Sequence, residues 1–150
     1  MDEVGGRMTR EQQARILLAK GYSCEQAIFG AFADLLGCST IDAALMAPSR
    51  KERGRTCGAY TAGELLIGRA YGSEGREPQL RRAWQEKRQE QRRQKAAAAE
   101  DEFRTLFIGK FGTLDCKAIQ GSREKGWGGM DGVVGVTVQL LERVLEKERL

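Results

Sequence analysis

Histidine does not occur in the 150 residues of this chain. Serine–histidine and cysteine–histidine nucleophiles, histidine-ligated zinc and histidine-held haem are therefore excluded for the chain acting alone. Proline occurs only twice, which fits helices better than a disordered or strand-rich chain. No apolar run approaches the ~18 residues of a membrane span, so none is expected. The stretch Met1 to Arg7 has no apolar core, so no secretory signal is expected and the cytoplasm is the expected compartment. Cysteines there stay reduced unless they turn over. The four cysteines, Cys24, Cys38, Cys57 and Cys116, are separated by 14, 19 and 59 residues. With no CxxC, neither a local zinc knuckle nor a thioredoxin-type motif is written in the chain.

Glycine, by contrast, is abundant: 19 of 150 residues, against a usual share of ~7%. Many helices separated by glycine turns would account for that. A chain of this length is expected to form one domain, residues 1–150, able to bury roughly 70% of its unfolded surface. Its net charge of +4 is unevenly spread. Between Arg76 and Lys95 eight basic residues stand against three acidic ones, a local +5 that leaves the remainder near neutral. The basicity therefore belongs to one segment and not to the fold.

The order of the residues predicts an all-α domain of five to seven helices, one of them long and exposed. Thr9-Arg10-Glu11-Gln12 and Ser23-Cys24-Glu25-Gln26 read as capping boxes, opening helices near 10–20 and 24–36. Gly21 and Gly37 stand where helices end. Ser39 or Thr40 caps a shorter helix that Pro48 stops. Thr56 is expected to cap a helix near 57–71, whose Gly58, Ala59, Ala62 and Gly63 make its first turns small enough for a close neighbour. A helix near 78–108 begins beside Pro78, has few apolar residues before Ala96, and returns to the core through Phe103, Leu106 and Phe107. Its stretch from Gln85 to Lys95 lacks an apolar stripe and should be the most exposed helical surface. Thr113 is expected to cap a short helix holding Cys116, and Val133 to Leu145 mark a last amphipathic helix near 131–147.

A buried cysteine is ordinarily a small hydrophobe, and Cys38 is read that way. Cys24, Cys57 and Cys116 are different, because each falls at an inferred helix start. Such an end offers unpaired N–H groups and about half a positive charge, which favours thiolate over thiol. Without histidine this is the principal activation left, aided at Cys57 by Arg53 and Arg55. Cys24, Cys57 and Cys116 are thus the candidate catalytic residues. Glu64, on the Cys57 helix, is a candidate proton acceptor, although a helix-surface carboxylate is the ordinary reading.

Three motifs carry a resemblance. Gly21-Tyr22-Ser23-Cys24-x-Gln26-Ala27, then Thr56-Cys57-Gly58-Ala59 with Gly68-x-x-Tyr71-Gly72, then Phe111-Gly112-x-Leu114-x-Cys116, resemble the bacterial C_GCAxxG_C_C family, described as redox-active, over roughly residues 21–145. The resemblance implies a redox role for the cysteines. The chain departs from the family pattern at Ala62, where a glycine is usual, and in Ser49 to Arg55, which replaces a glycine-rich stretch. It also has Met130 where the fourth family cysteine should stand, so Met130 is expected close to Cys116.

Three readings follow. In the first, Cys24 and Cys57, with Cys116, cycle between dithiol and disulfide and meet a redox partner protein. In the second, the chain is a helical interaction module. Arg81, Arg82, Lys87, Arg88, Arg92 and Arg93 would then face an acidic partner, or the helix around 78–108 would join copies of the chain. In the third, Cys24, Cys57 and Cys116 hold zinc or an iron–sulfur cluster, which the loss of a fourth thiol weakens. Nucleic acid is not an expected partner, because only Trp84 is interleaved with the basic residues. No cofactor is assigned.

Overall fold

The computed structural model describes residues 8–49, 56–71, 82–121 and 130–149. These form eight helical segments: α1 (Arg10–Ala19), α2 (Cys24–Ala31), α3 (Ala33–Leu36), α4 (Thr40–Leu45), α5 (Gly58–Ala70), α6 (Arg82–Phe111), α7 (Cys116–Gly121) and α8 (Met130–Arg149). Among the described residues there is no strand, only an isolated antiparallel bridge between Thr56 and Asp115. The fold is all-α.

Both capping boxes form. Thr9 accepts from the Gln12 N–H while the Gln12 side chain accepts from the Thr9 N–H, and Ser23 and Gln26 do the same. Each box satisfies two otherwise orphaned donors at a helix start. Ser39 caps α4 by accepting from the Asp42 N–H. Gly37 adopts φ 71°, a left-handed conformation that glycine enters without strain, and it closes α3.

The stretch 24–36 is broken, not continuous. Phe32 leaves helical geometry at φ −112°, ψ 26°, so that α2 ends and α3 begins around it. The Phe32 ring is 1% exposed, and the Arg10 guanidinium lies 4.5 Å from its centroid. Burying that ring beneath α1 decides the backbone at a position where periodicity alone favours continuation.

Two caps differ from the sequence reading. Thr56 does not cap α5; it pairs with Asp115, and Cys57 takes the N-cap place without a side-chain cap bond. At α7 the Asp115 carboxylate accepts from the Ala118 N–H at 3.0 Å, while Thr113 accepts from the Asp115 N–H. Aspartate at this position also brings negative charge to the helix start.

Helix α2 is central. It packs against α1, α4, α5 and α8, while α5 packs on α6 and α8, and α1 and α6 both lie on α8. Phe29, Phe32, Leu66, Ile67, Phe103, Phe107, Val138 and Leu141 are among the fully buried side chains of the core between these helices. The small first turns of α5 admit side chains from two sides. A Cβ on Gly63 would stand 2.5 Å from the Phe103 ring, which stacks on Tyr60 with centroids 5.3 Å apart.

The amino-terminal part of α6 leaves the core. From Glu90 to Lys95 every residue is exposed except the half-buried Arg92, and burial resumes at Ala96 and Ala99. Residues 78–81, and the side chains of 82–89 with much of the basic cluster, lie outside the described residues. No described helix is long and apolar enough to cross a membrane.

Candidate functional site

The start of α2 meets the start of α5. Cys24 is the first residue of α2, fixed by the Ser23–Gln26 box immediately before it. Cys57 is the N-cap of α5, and its backbone is held on both sides. The Cys57 N–H donates to the Leu114 carbonyl at 2.7 Å, and the Cys57 carbonyl accepts from the Thr61 N–H at 3.0 Å and hydroxyl at 3.1 Å. Gly58 then lies directly against Cys24. A Cβ built on Gly58 would fall 2.5 Å from Cys24 Sγ and 2.6 Å from Glu25 Oε1, closer than real Cβ contacts come. Only glycine lets these two helix starts approach so nearly.

Cys116 joins the group through the bond from Cys57 to Leu114 and the Thr56–Asp115 bridge, which bring Thr56-Cys57 beside Leu114-Asp115. Cys116 follows as the first residue of α7. Cys24 and Cys57 are buried, 9% and 1% exposed, whereas Cys116 is half-buried. The four cysteines carry thiols and not disulfides. Cys38 belongs to the α3–α4 connection, where its N–H donates to the Ala33 carbonyl. Met130 opens α8; its side chain, and so the expected approach to Cys116, falls outside the described residues, as do Arg53 and Arg55.

Sequence reasoning missed Glu25. It stands in the middle of a capping box, where an acidic side chain ordinarily points to water. Here it is 2% exposed, and the Cys24 thiol donates to its Oε1 at 3.0 Å.

Glu64 is not beside the cysteines in this way. It accepts from the Tyr60 hydroxyl at 2.9 Å. Burial, and then the bond to Glu64, push the Tyr60 phenol well above its usual range. Burial, and then the negative Glu64, also hold the Glu100 carboxyl above its ordinary value. Among the described residues no group of three or more cysteine, aspartate or glutamate side chains is arranged to hold a metal ion.

The described residues thus form an all-α domain in which Cys24 lies against Gly58, the residue after Cys57, at the meeting of two helix starts. The chain belongs to the C_GCAxxG_C_C family, whose model, described as "Putative redox-active protein (C_GCAxxG_C_C)", matches residues 22–143. No curated protein and no solved structure matches the chain.

Proposed function

We propose that this chain is a thiol–disulfide redox protein in which Cys24 and Cys57 form the working pair and Cys116 is a third thiol able to exchange with them. The observation that carries this reading is the contact of Cys24 Sγ with Gly58, the residue after Cys57, at a separation that leaves no room for a Cβ. Cys57 directly precedes that glycine, so the two cysteines stand on adjoining helix starts, and a bond between them requires Cα atoms within about 4.4–6.8 Å.

The chemistry is an exchange with an external disulfide. One cysteine sulfur attacks a sulfur of the oxidant, forming a mixed disulfide and releasing the first thiolate. The second cysteine sulfur attacks the first, closing the Cys24–Cys57 bond and releasing the second thiolate. The oxidant gains two electrons and the two protons that the cysteines lose. A dithiol reductant reverses the sequence.

The test is peptide mapping under non-reducing conditions after mild treatment with a small disulfide. A Cys24–Cys57 crosslink should form, be lost in Cys24→Ser and in Cys57→Ser, and reopen with a dithiol. Iodoacetamide at neutral pH should also modify one of the pair faster than Cys38. Recovery of all four thiols unchanged after oxidant treatment would overturn the reading.

A further inference from the structure

The two cysteines of the proposed pair are poorly placed to meet a disulfide from solution. Cys57 is 1% exposed, and Cys24, 9% exposed, has its Sγ against Gly58 and donating to Oε1 of the buried Glu25. Thiol–disulfide exchange requires that the attacking sulfur be reached. Cys116 is half-buried, and it belongs to the segment tied to Cys57. The Cys57 N–H donates to the Leu114 carbonyl at 2.7 Å, and Thr56 pairs with Asp115 in antiparallel sense. Cys57 thus lies opposite Leu114, and Cys116, two residues further on, is its diagonal neighbour. Across an antiparallel pairing such neighbours stand roughly 7–8 Å apart. That is just beyond the ~4.4–6.8 Å between the Cα atoms of a settled disulfide. A bond between them therefore needs a slight backbone movement, which suits a passing intermediate better than a resting link. Cys57 is the middle member of the three: Cys24 adjoins it through Gly58, and Cys116 through Leu114-Asp115.

We infer that Cys116 is the entry thiol, the sulfur that takes the external disulfide and passes it inward to Cys57 and then to Cys24. The inference rests on the Cys24–Cys57 pairing proposed above. Cys116 sulfur attacks one sulfur of the external disulfide; the Cys116–oxidant bond forms and the first thiolate leaves. Cys57 sulfur attacks Cys116 sulfur; the Cys57–Cys116 bond forms and the second thiolate leaves. Cys24 sulfur attacks Cys57 sulfur; the Cys24–Cys57 bond forms and Cys116 leaves as the thiolate. Each attacking thiol gives up its proton. Cys116 regains one when it leaves, the other two go to the released thiolates, and the oxidant has gained two electrons.

Exposure alone does not assign this role. Cys38 is half-buried as well, but it belongs to the α3–α4 connection and not to the helix starts that gather the other three. A route inward needs both access and a neighbouring thiol, and Cys116 combines them.

The test uses the full chain carrying Cys38→Ser, a chromogenic aromatic disulfide and acid quenching at short times. With one equivalent of the disulfide, the earliest mixed disulfide should map to Cys116. The Cys24–Cys57 crosslink should follow, after release of the second coloured thiolate. Cys24→Ser should stop the transfer one step short and accumulate a Cys57–Cys116 crosslink; its absence there overturns the route through Cys57. Cys116→Ser should slow the Cys24–Cys57 crosslink by at least ~10-fold, because attack must then await local opening around the buried pair. An earliest mixed disulfide on Cys24 or Cys57, or a crosslink equally fast in Cys116→Ser, overturns the inference and leaves the pairing intact. Oxidant retained on Cys116 with no Cys24–Cys57 crosslink overturns the pairing and the inference with it. If Cys116→Ser loses its helical circular dichroism, the quench mapping decides alone, since it leaves all three thiols in place.

Discussion

Tyr60 donates its hydroxyl to Glu64 one turn along α5 at 2.9 Å, while its ring lies 4° from parallel with Phe103. The phenol is thus anchored at both ends, by a stack inside the core and a carboxylate at its margin. Tyr60→Phe keeps the stack and removes the bond. Hydrogen bonds to charged groups contribute ~1.5–3 kcal/mol, and half-buried Glu64 regains water, so about 1–1.5 kcal/mol should be lost in urea unfolding. The phenol titrates higher in the folded chain than in the unfolded one. Its contribution is therefore whole below pH ~10, the unfolded value, and fades as pH rises further. Ultraviolet titration should show one tyrosine ionising late, absent from Tyr60→Phe; three tyrosines ionising together near pH 10 would contradict this.

Gly58→Ala sets two effects against each other. Alanine improves helix propensity by at most ~1 kcal/mol. The new methyl would have to displace Cys24 Sγ, a short buried side chain at the first residue of α2, and the carboxyl end of the buried Glu25 beside it. Overpacking of that kind costs ~1–3 kcal/mol, so the variant should be less stable by about 1–2 kcal/mol. It should also form the Cys24–Cys57 crosslink more slowly. Thermal melts and non-reducing maps measure the two effects separately, and a stabilised variant with unchanged crosslinking would contradict the close approach.

Arg10 and Asp34 form an ion pair whose members contribute unequally. Asp34 is 64% exposed, and exposed pairs contribute ~0.2–1 kcal/mol. Arg10 also donates to the Ala31 carbonyl and covers the Phe32 ring. Arg10→Ala should therefore cost about 1–3 kcal/mol and Asp34→Asn less than ~1. The bond to Arg10 holds the Asp34 carboxyl below its ordinary value. The pair's stability is present above the unfolded carboxyl range near pH 4 and is lost as pH falls through the lower folded value. Asp34→Asn should accordingly show its deficit at pH 7, and the deficit should shrink under strongly acid conditions.

The helical class, the capping boxes and the glycine stops were legible because each is a local rule acting over three or four residues. The breaks came where distant segments compete for the backbone. Phe32 interrupts a periodic run because α1 and Arg10 bury its ring. Thr56 gives up a capping place because Asp115 pairs with it. At the site, the cysteines announced themselves by chemistry and by their neighbours in sequence. Glu25 did not, since an acidic residue in a first turn is what any exposed helix would carry. Its burial follows from Gly58, 33 positions later in the numbering, and no periodicity within α2 records that contact.

The bond from the Cys57 N–H to the Leu114 carbonyl has a consequence for synthesis on the ribosome. It joins residues 57 positions apart, counting from 57 to 114. Helices α1 to α4 can emerge and pack while that partner is still untranslated, leaving the amino end of α5 without its tether. A nascent chain halted before Leu114 would carry Cys24 and Cys57 with their chemistry intact but with nothing to clamp the second thiol. The start of α5 is therefore a late-maturing part of the molecule, tethered only once Leu114 has left the exit tunnel.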